Sequence, residues 1–127
     1  MSIRLQNVTP ILAQADIFHD LDAKALQRVI AIGVLSRYES DGIVFHQDDP
    51  AERMYLLVEG RLRLLQVTLE GAQINMGLVS PGQAFAIISL LERQRYPVSA
   101  QAVGASAVLS WSRRDLHSLM SSCPQIA

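Results

Sequence analysis

Three histidines, a single cysteine and an aspartate pair are the residues of this chain best suited to metal or covalent chemistry, and their spacing supports little of either. His19, His46 and His117 fall at a helix end, in a strand and in a helix, with no two at the i, i+4 separation that puts imidazoles on one helix face. They read as surface or packing histidines. Cys123 stands alone, which excludes an internal disulfide and any cysteine-rich metal or iron–sulfur site. Asp48-Asp49, followed by Pro50, reads as a solvated turn. No nucleophile, base and orienting group suggest a triad, there is no glycine-rich phosphate loop, and no carboxylate pair has a neighbour that would tune it, so an enzyme is not expected. The arginines remain. Arg61 and Arg63, two apart on one strand face, suit either an anionic partner or plain solubility, and Glu92, Arg93 and Arg95 make a charged loop.

These side chains are carried by a chain of 127 residues, long enough for one domain with its own core. Half the residues are hydrophobic (50%), 18% are charged and the net charge is −1, so the basic footprint of a nucleic-acid binder is missing. The apolar runs Val29 to Leu35 and Ala84 to Ile88 are too short to span a bilayer, and Met1-Ser2-Ile3-Arg4 has no signal-peptide core. A cytoplasmic location with no membrane contact is expected. Pro10 to His19 predicts a helix with Ile11, Leu12, Ala15 and Phe18 on one face. Asp22 is the N-cap of a second helix, Ala23 to Ile32, striped by Leu26, Val29 and Ile30 and stopped by Gly33. From Leu35 the period becomes that of short strands between turns: Leu35–Glu39, Ile43–Gln47, Met54–Val58, Arg61–Thr68, Ala72–Val79, Val98–Val103 and Ala107–Trp111. In the fourth of these, Leu62 and Leu64 face in while Arg61 and Arg63 face out. Ser112-Arg113-Arg114-Asp115 is a capping-box pattern opening a last helix, with Leu116, Leu119 and Met120 on one face and Cys123-Pro124 ending it.

The stretch from Gly77 to Ala102 organises the rest. Pro81-Gly82 is a turn, Ala84 to Leu91 is almost wholly apolar and predicts a short helix, and Tyr96-Pro97 returns the chain to extended structure. With Phe85, Leu90-Leu91, Ser99 and Ala102 in register, this layout resembles the phosphate-binding cassette of cyclic-nucleotide-binding domains, as found in bacterial Crp/Fnr-type transcription regulators, kinase regulatory subunits and gated channels. The resemblance extends over about nine tenths of the chain. It implies a mainly β domain, an eight-stranded antiparallel jelly roll (double-stranded β-helix) with two short N-terminal helices, a cassette helix and a C-terminal helix. One domain would cover 1–127: N-terminal helices over 1–34, a β-roll over 35–111 with the cassette at 81–99, and a C-terminal helical segment over 112–127.

The cassette departs from the pattern of that family where the family holds its ligand. The family carries Phe-Gly-Glu and, later, a phosphate-clamping arginine. Here Ala86 and Ile87 follow Phe85, and Tyr96-Pro97 stands where the arginine belongs, with Arg95 one residue away as a candidate replacement. Loss of both charged contacts costs about 3 kcal/mol or more, a hundredfold in affinity, so cyclic AMP is not the expected effector. The resemblance places the pocket among Leu62, Leu64, Met76, Gly77, Phe85, Ala86, Ile87, Ile88, Arg95, Tyr96, Pro97, Val98 and Ser99. Replacing glutamate by Ile87 makes that cavity apolar, suited to an apolar or aromatic effector, or closed. No cofactor is expected. Some family members hold haem here through histidine, cysteine or methionine, and His46, Met54, Met76 and Cys123 are the ligands that alternative would use. Leu116, Leu119 and Met120 would transmit occupancy to the segment that follows. In Crp/Fnr regulators a dimerisation helix begins near Pro124–Ala127 and a DNA-binding helix-turn-helix comes after it. The expectation is therefore the sensor piece of a homodimeric regulator that reaches DNA only through that further domain. The alternative is a stand-alone regulatory or scaffold module.

Overall fold

The structure is a computed structural model that describes residues 22–86, 92 and 94–122. The helix expected over Pro10–His19 lies outside them. The described chain runs α1 (Ala23–Ile32), β1 (Val34–Tyr38), β2 (Ile43–Phe45), β3 (Arg53–Glu59), β4 (Leu62–Val67), β5 (Gln73–Val79), β6 (Ala84–Phe85), β7 (Ser99–Ala102), β8 (Ser106–Ser112) and α2 (Arg113–Ser122). The strands are antiparallel throughout and form two four-stranded sheets, ordered β1-β8-β3-β6 and β2-β7-β4-β5.

Side-chain alternation along β3 builds two cores from one strand. Met54, Leu56 and Val58 point to one side of the first sheet, where they join Leu109 and Trp111 of β8 and the stripes Leu26, Val29, Ile30 of α1 and Leu116, Leu119 of α2. Tyr55 and Leu57 point to the other side, where they meet Phe45, Leu62, Val79, Phe85, Tyr96, Ala100, Ala102 and Val108 between the sheets. Both helices thus lie on the first sheet, and the second sheet packs against its opposite face. Such a three-layer stack buries the middle sheet on both faces, which is why β3 and β8 read as near-continuous apolar runs.

Local chemistry sets the helix ends. The Asp22 carboxylate accepts a hydrogen bond from the Ala25 amide at 2.8 Å, and the Ser112 hydroxyl accepts one from Asp115 at 3.1 Å, so both expected N-caps form. Gly33 stops α1, but by a different means from the left-handed cap that a terminal glycine suggests: its φ is −75°. A Cβ there would sit 2.9 Å from the Leu109 side chain and 3.0 Å from the indole nitrogen of Trp111. The glycine lets the chain cross β8 closely, and that indole donates to the Val29 carbonyl at 2.8 Å, tying α1 to the sheet.

Two sequence expectations change. Alternation in β4 breaks at a bulge between Leu64 and Leu65, so Leu62 is fully buried, Leu64 only partly, and Leu65, assigned no role from the sequence, is buried. The start of the apolar run 84–91 is extended, not helical: Ala84 and Phe85 pair with Leu56 and Tyr55 of β3. Residues 87–91 lie outside the described set.

Candidate functional site

The cassette positions fall into three environments. Phe85 and Tyr96 are core residues: the Tyr96 ring stacks on Phe45 at 3.9 Å between centroids, and Phe85 stacks on Tyr55 at 5.3 Å. Leu62, Leu64 and Val98 line or flank the same inter-sheet core. Arg95 and Pro97 are exposed, and Met76, on the outer strand β5, is 53% exposed beside the equally open Ile74 and Leu78. Gly77 and Ser99 are partly exposed, and the Ser99 hydroxyl accepts from the Gln47 amide at 2.8 Å. Ile87, Ile88 and the Met120 side chain are outside the described residues, as is Cys123.

Position 96 is the most informative. Tyr96 is 3% exposed, and its hydroxyl donates to the Arg53 carbonyl at 2.9 Å while accepting from the Arg53 amide at 3.2 Å. The reason lies in strand geometry. In an antiparallel strand the N–H and C=O of one residue point to the same side. On the β6 side of β3, Leu57 exchanges bonds with Gln83 and Gly82, and Tyr55 faces Phe85, but β6 is too short to reach Arg53. The phenol of Tyr96 stands in for the missing strand residue and satisfies both backbone groups.

Arg95 is engaged elsewhere. Its guanidinium donates to the Asp48 carbonyl at 2.7 Å, and residues 94–96 bond to the turn 48–51 through Asp48, Asp49 and Ala51 backbone groups. Asp48 adopts φ +71°, the left-handed turn that aspartate tolerates. Ala86 also lies in this region, at φ +68°, immediately after β6. Arg61 and Arg63 are likewise tied to their own sheet, Arg61 to the Ser80 hydroxyl at 3.1 Å and Arg63 to Gln101 at 3.0 Å and Asp41 at 3.6 Å.

Arg53 is the functional candidate that sequence reasoning missed, because the strand was begun at Met54. Extending the period of two back from Leu57 and Tyr55 would have placed it on the inner face. There its guanidinium donates to the hydroxyl of buried Ser110 at 2.9 Å and to the Ser110 carbonyl at 3.3 Å. Tyr55 lies alongside. Burial raises its pKa well above the ordinary tyrosine value, the Tyr96 hydroxyl adds to the rise, and the nearby Arg53 cation offsets part of it. Burial likewise raises Tyr38, against a hydrogen bond from Ser36.

Among the described residues no group of three or more histidine, cysteine, aspartate or glutamate side chains is placed to hold a metal, and no helix is long and apolar enough to cross a membrane. Leu116 and Leu119 are buried against the first sheet, as their spacing implied.

Residues 35–123 match the sequence profile of the cyclic nucleotide-binding domain. The chain is 28% identical over 111 residues to a cyclic AMP receptor protein of Thermus thermophilus, spanning 87% of this chain and 51% of that relative. It is 38% identical over 61 residues to a global nitrogen regulator of Synechococcus elongatus, 48% of this chain and 28% of that protein. The crystal structure of Thermus thermophilus catabolite activator protein superposes with a TM-score of 0.82 at 27% identity, covering 87% of this chain and 52% of that one. This chain therefore spans about half the length of the two Thermus thermophilus proteins and less of the nitrogen regulator.

Proposed function

The chain belongs to the cyclic nucleotide-binding domain family, in its Crp/Fnr-type branch, and from that premise we propose that it is an effector-sensing domain whose effector is not held by a cassette arginine and glutamate. The observation that carries this reading is Tyr96. At the position where the family resemblance calls for a phosphate clamp, the side chain is in the core, stacked on Phe45, with its hydroxyl committed to the Arg53 backbone. Arg95, the nearest cation in sequence, is bonded to Asp48 on the far side of the loop. Cyclic AMP would have to break the Arg95–Asp48 bond to gain that guanidinium.

The two-sheet strand order supports the finer jelly-roll reading, and the relatives' names support a regulator that acts on transcription through a further DNA-binding domain, as a homodimer. In that setting, effector occupancy biases the C-terminal helix. Leu116 and Leu119 of α2 share a core with Met54 and Leu56 of β3, so movement of β3 on one face is felt by α2 on the other.

A calorimetric titration of the domain with cyclic AMP and cyclic GMP to millimolar concentration tests the reading. No saturable heat is expected. Micromolar binding that disappears in Arg95→Gln would overturn it and make Arg95 the replacement clamp.

A further inference from the structure

Arg53 is a cation on the inner face of a sandwich, where an apolar residue would ordinarily stand. It is partly buried, with Tyr55 next along the same face and Ser110 across on β8. Its five N–H donors meet only neutral acceptors among the described residues, the hydroxyl and carbonyl of Ser110. The ion pair within that set, Arg63 with Asp41, is on the other sheet. A partly desolvated guanidinium without a counter-charge is costly, and an arriving anion would offset that cost.

The surroundings suit such a guest. The backbone of Arg53 is fixed on both its N–H and C=O by the Tyr96 hydroxyl, so the root of the side chain is rigid. The Ser110 contacts use the Nε edge and one terminal nitrogen, leaving the other terminal nitrogen free to donate. The Ser110 hydroxyl, which accepts from Nε, donates its own proton to the Val34 carbonyl at 3.4 Å, so the donor left for an oxyanion is the guanidinium itself, which binds an oxyanion more strongly than a neutral acceptor.

We propose that Arg53 is an anion-binding residue of this domain, and that its effector presents a carboxylate or phosphate to the free edge of the Arg53 guanidinium on the inner face of β3. This rests on the sensor reading above and deepens it: the positive charge missing from the cassette is supplied by the neighbouring strand, and the residue at the clamp position holds that strand in place. The effector is then a small organic acid or phosphate compound whose anionic end enters between the sheets.

The test uses the whole chain with three probes, inorganic phosphate, succinate and cyclic AMP, each titrated to millimolar concentration. Binding is followed by calorimetry and by the Arg53 side-chain Nε–H resonance, which needs no substitution. Phosphate or succinate is expected to bind saturably and shift that resonance, with affinity falling about tenfold or more in Arg53→Gln and staying within twofold in Arg95→Gln. Phosphate and succinate distinguish the two oxyanion sources. No saturable shift of the Arg53 resonance with any probe overturns the inference, as does binding undiminished in Arg53→Gln. Cyclic AMP binding lost in Arg95→Gln but kept in Arg53→Gln sinks the sensor reading as well. Phosphate or succinate binding that follows Arg95 sinks the inference alone.

Discussion

Removing one oxygen atom from Tyr96 should destabilise the domain out of proportion to its size. In Tyr96→Phe the ring keeps its stack on Phe45, 3.9 Å between centroids, so the apolar burial is unchanged. Two hydrogen bonds to the backbone go, from the hydroxyl to the Arg53 carbonyl at 2.9 Å and from the Arg53 amide to the hydroxyl at 3.2 Å, together with the hydroxyl contact to Tyr55 that the Tyr55→Phe control also removes. Each is worth about 1 kcal/mol net, and a backbone group left buried without a partner costs about 1–3 kcal/mol. Because Arg53 is only partly buried, water recovers some of this, and the expected loss is about 2 kcal/mol. For a chain of this size that is roughly 6–10 °C in Tm. Urea denaturation measures it directly: the midpoint falls while the slope stays constant. Tyr55→Phe is the control, since its hydroxyl closes no backbone gap in β3. A Tyr96→Phe unfolding free energy within about 0.5 kcal/mol of the parent would refute the role of strand substitute and, with it, the argument that position 96 belongs to the scaffold.

Two further outcomes follow from the same neighbourhood. Ala86 holds φ +68°, which costs an L-residue about 1–2 kcal/mol, whereas glycine there forfeits about 0.4–1 kcal/mol through the unfolded chain; Ala86→Gly should therefore stabilise by about 0.5–1 kcal/mol, and a lower urea midpoint would contradict this. The raised pKa of Tyr55 makes folding favour the protonated phenol, so its contribution is complete below the unfolded pKa of ~10 and is lost as pH rises beyond that, at up to about 1.4 kcal/mol per pH unit. Denaturation midpoints measured across this alkaline range should fall more steeply for the parent than for Tyr55→Phe, and parallel curves would count against burial as the cause.

The fold was legible where periodicity and caps agree. Asp22 and Ser112 cap helices at the expected residues, and the strands expected at Met54–Val58 and Ala107–Trp111 form within β3 and β8. Strand ends were less legible, because partners fix them: β2 closes at Phe45 against Ala100, not at Gln47, whose side-chain amide instead bonds the backbone of Val67. A bulge such as that at Leu64 and Leu65 leaves no mark in a two-residue period until the partner strand is known. Tyr96 was assigned to a pocket because its position matched a ligand residue. What decides its role is a gap in hydrogen bonding beside Arg53, which no local pattern encodes.

That gap explains why Tyr96 and Arg53 form one feature. β6 has two residues, Ala84 and Phe85, and stops at Ala86, where the backbone turns left-handed. A longer β6 would have bonded Arg53 directly and left position 96 free to face a ligand. With β6 short, the returning chain must supply a group that both donates and accepts, is long enough to reach from the loop, and tolerates a dry environment. Arginine has donors only, and glutamate when ionised has acceptors only; tyrosine meets all three needs. The phenol at 96 and the guanidinium at 53 are thus coupled choices. An arginine returned to position 96 would leave the Arg53 carbonyl as its acceptor but the Arg53 amide unpaired, and would bring a second cation beside the first. Tyr96→Arg should consequently lower the urea midpoint further than Tyr96→Phe and fail to create a cyclic AMP site, an outcome that denaturation and calorimetry on the two variants check.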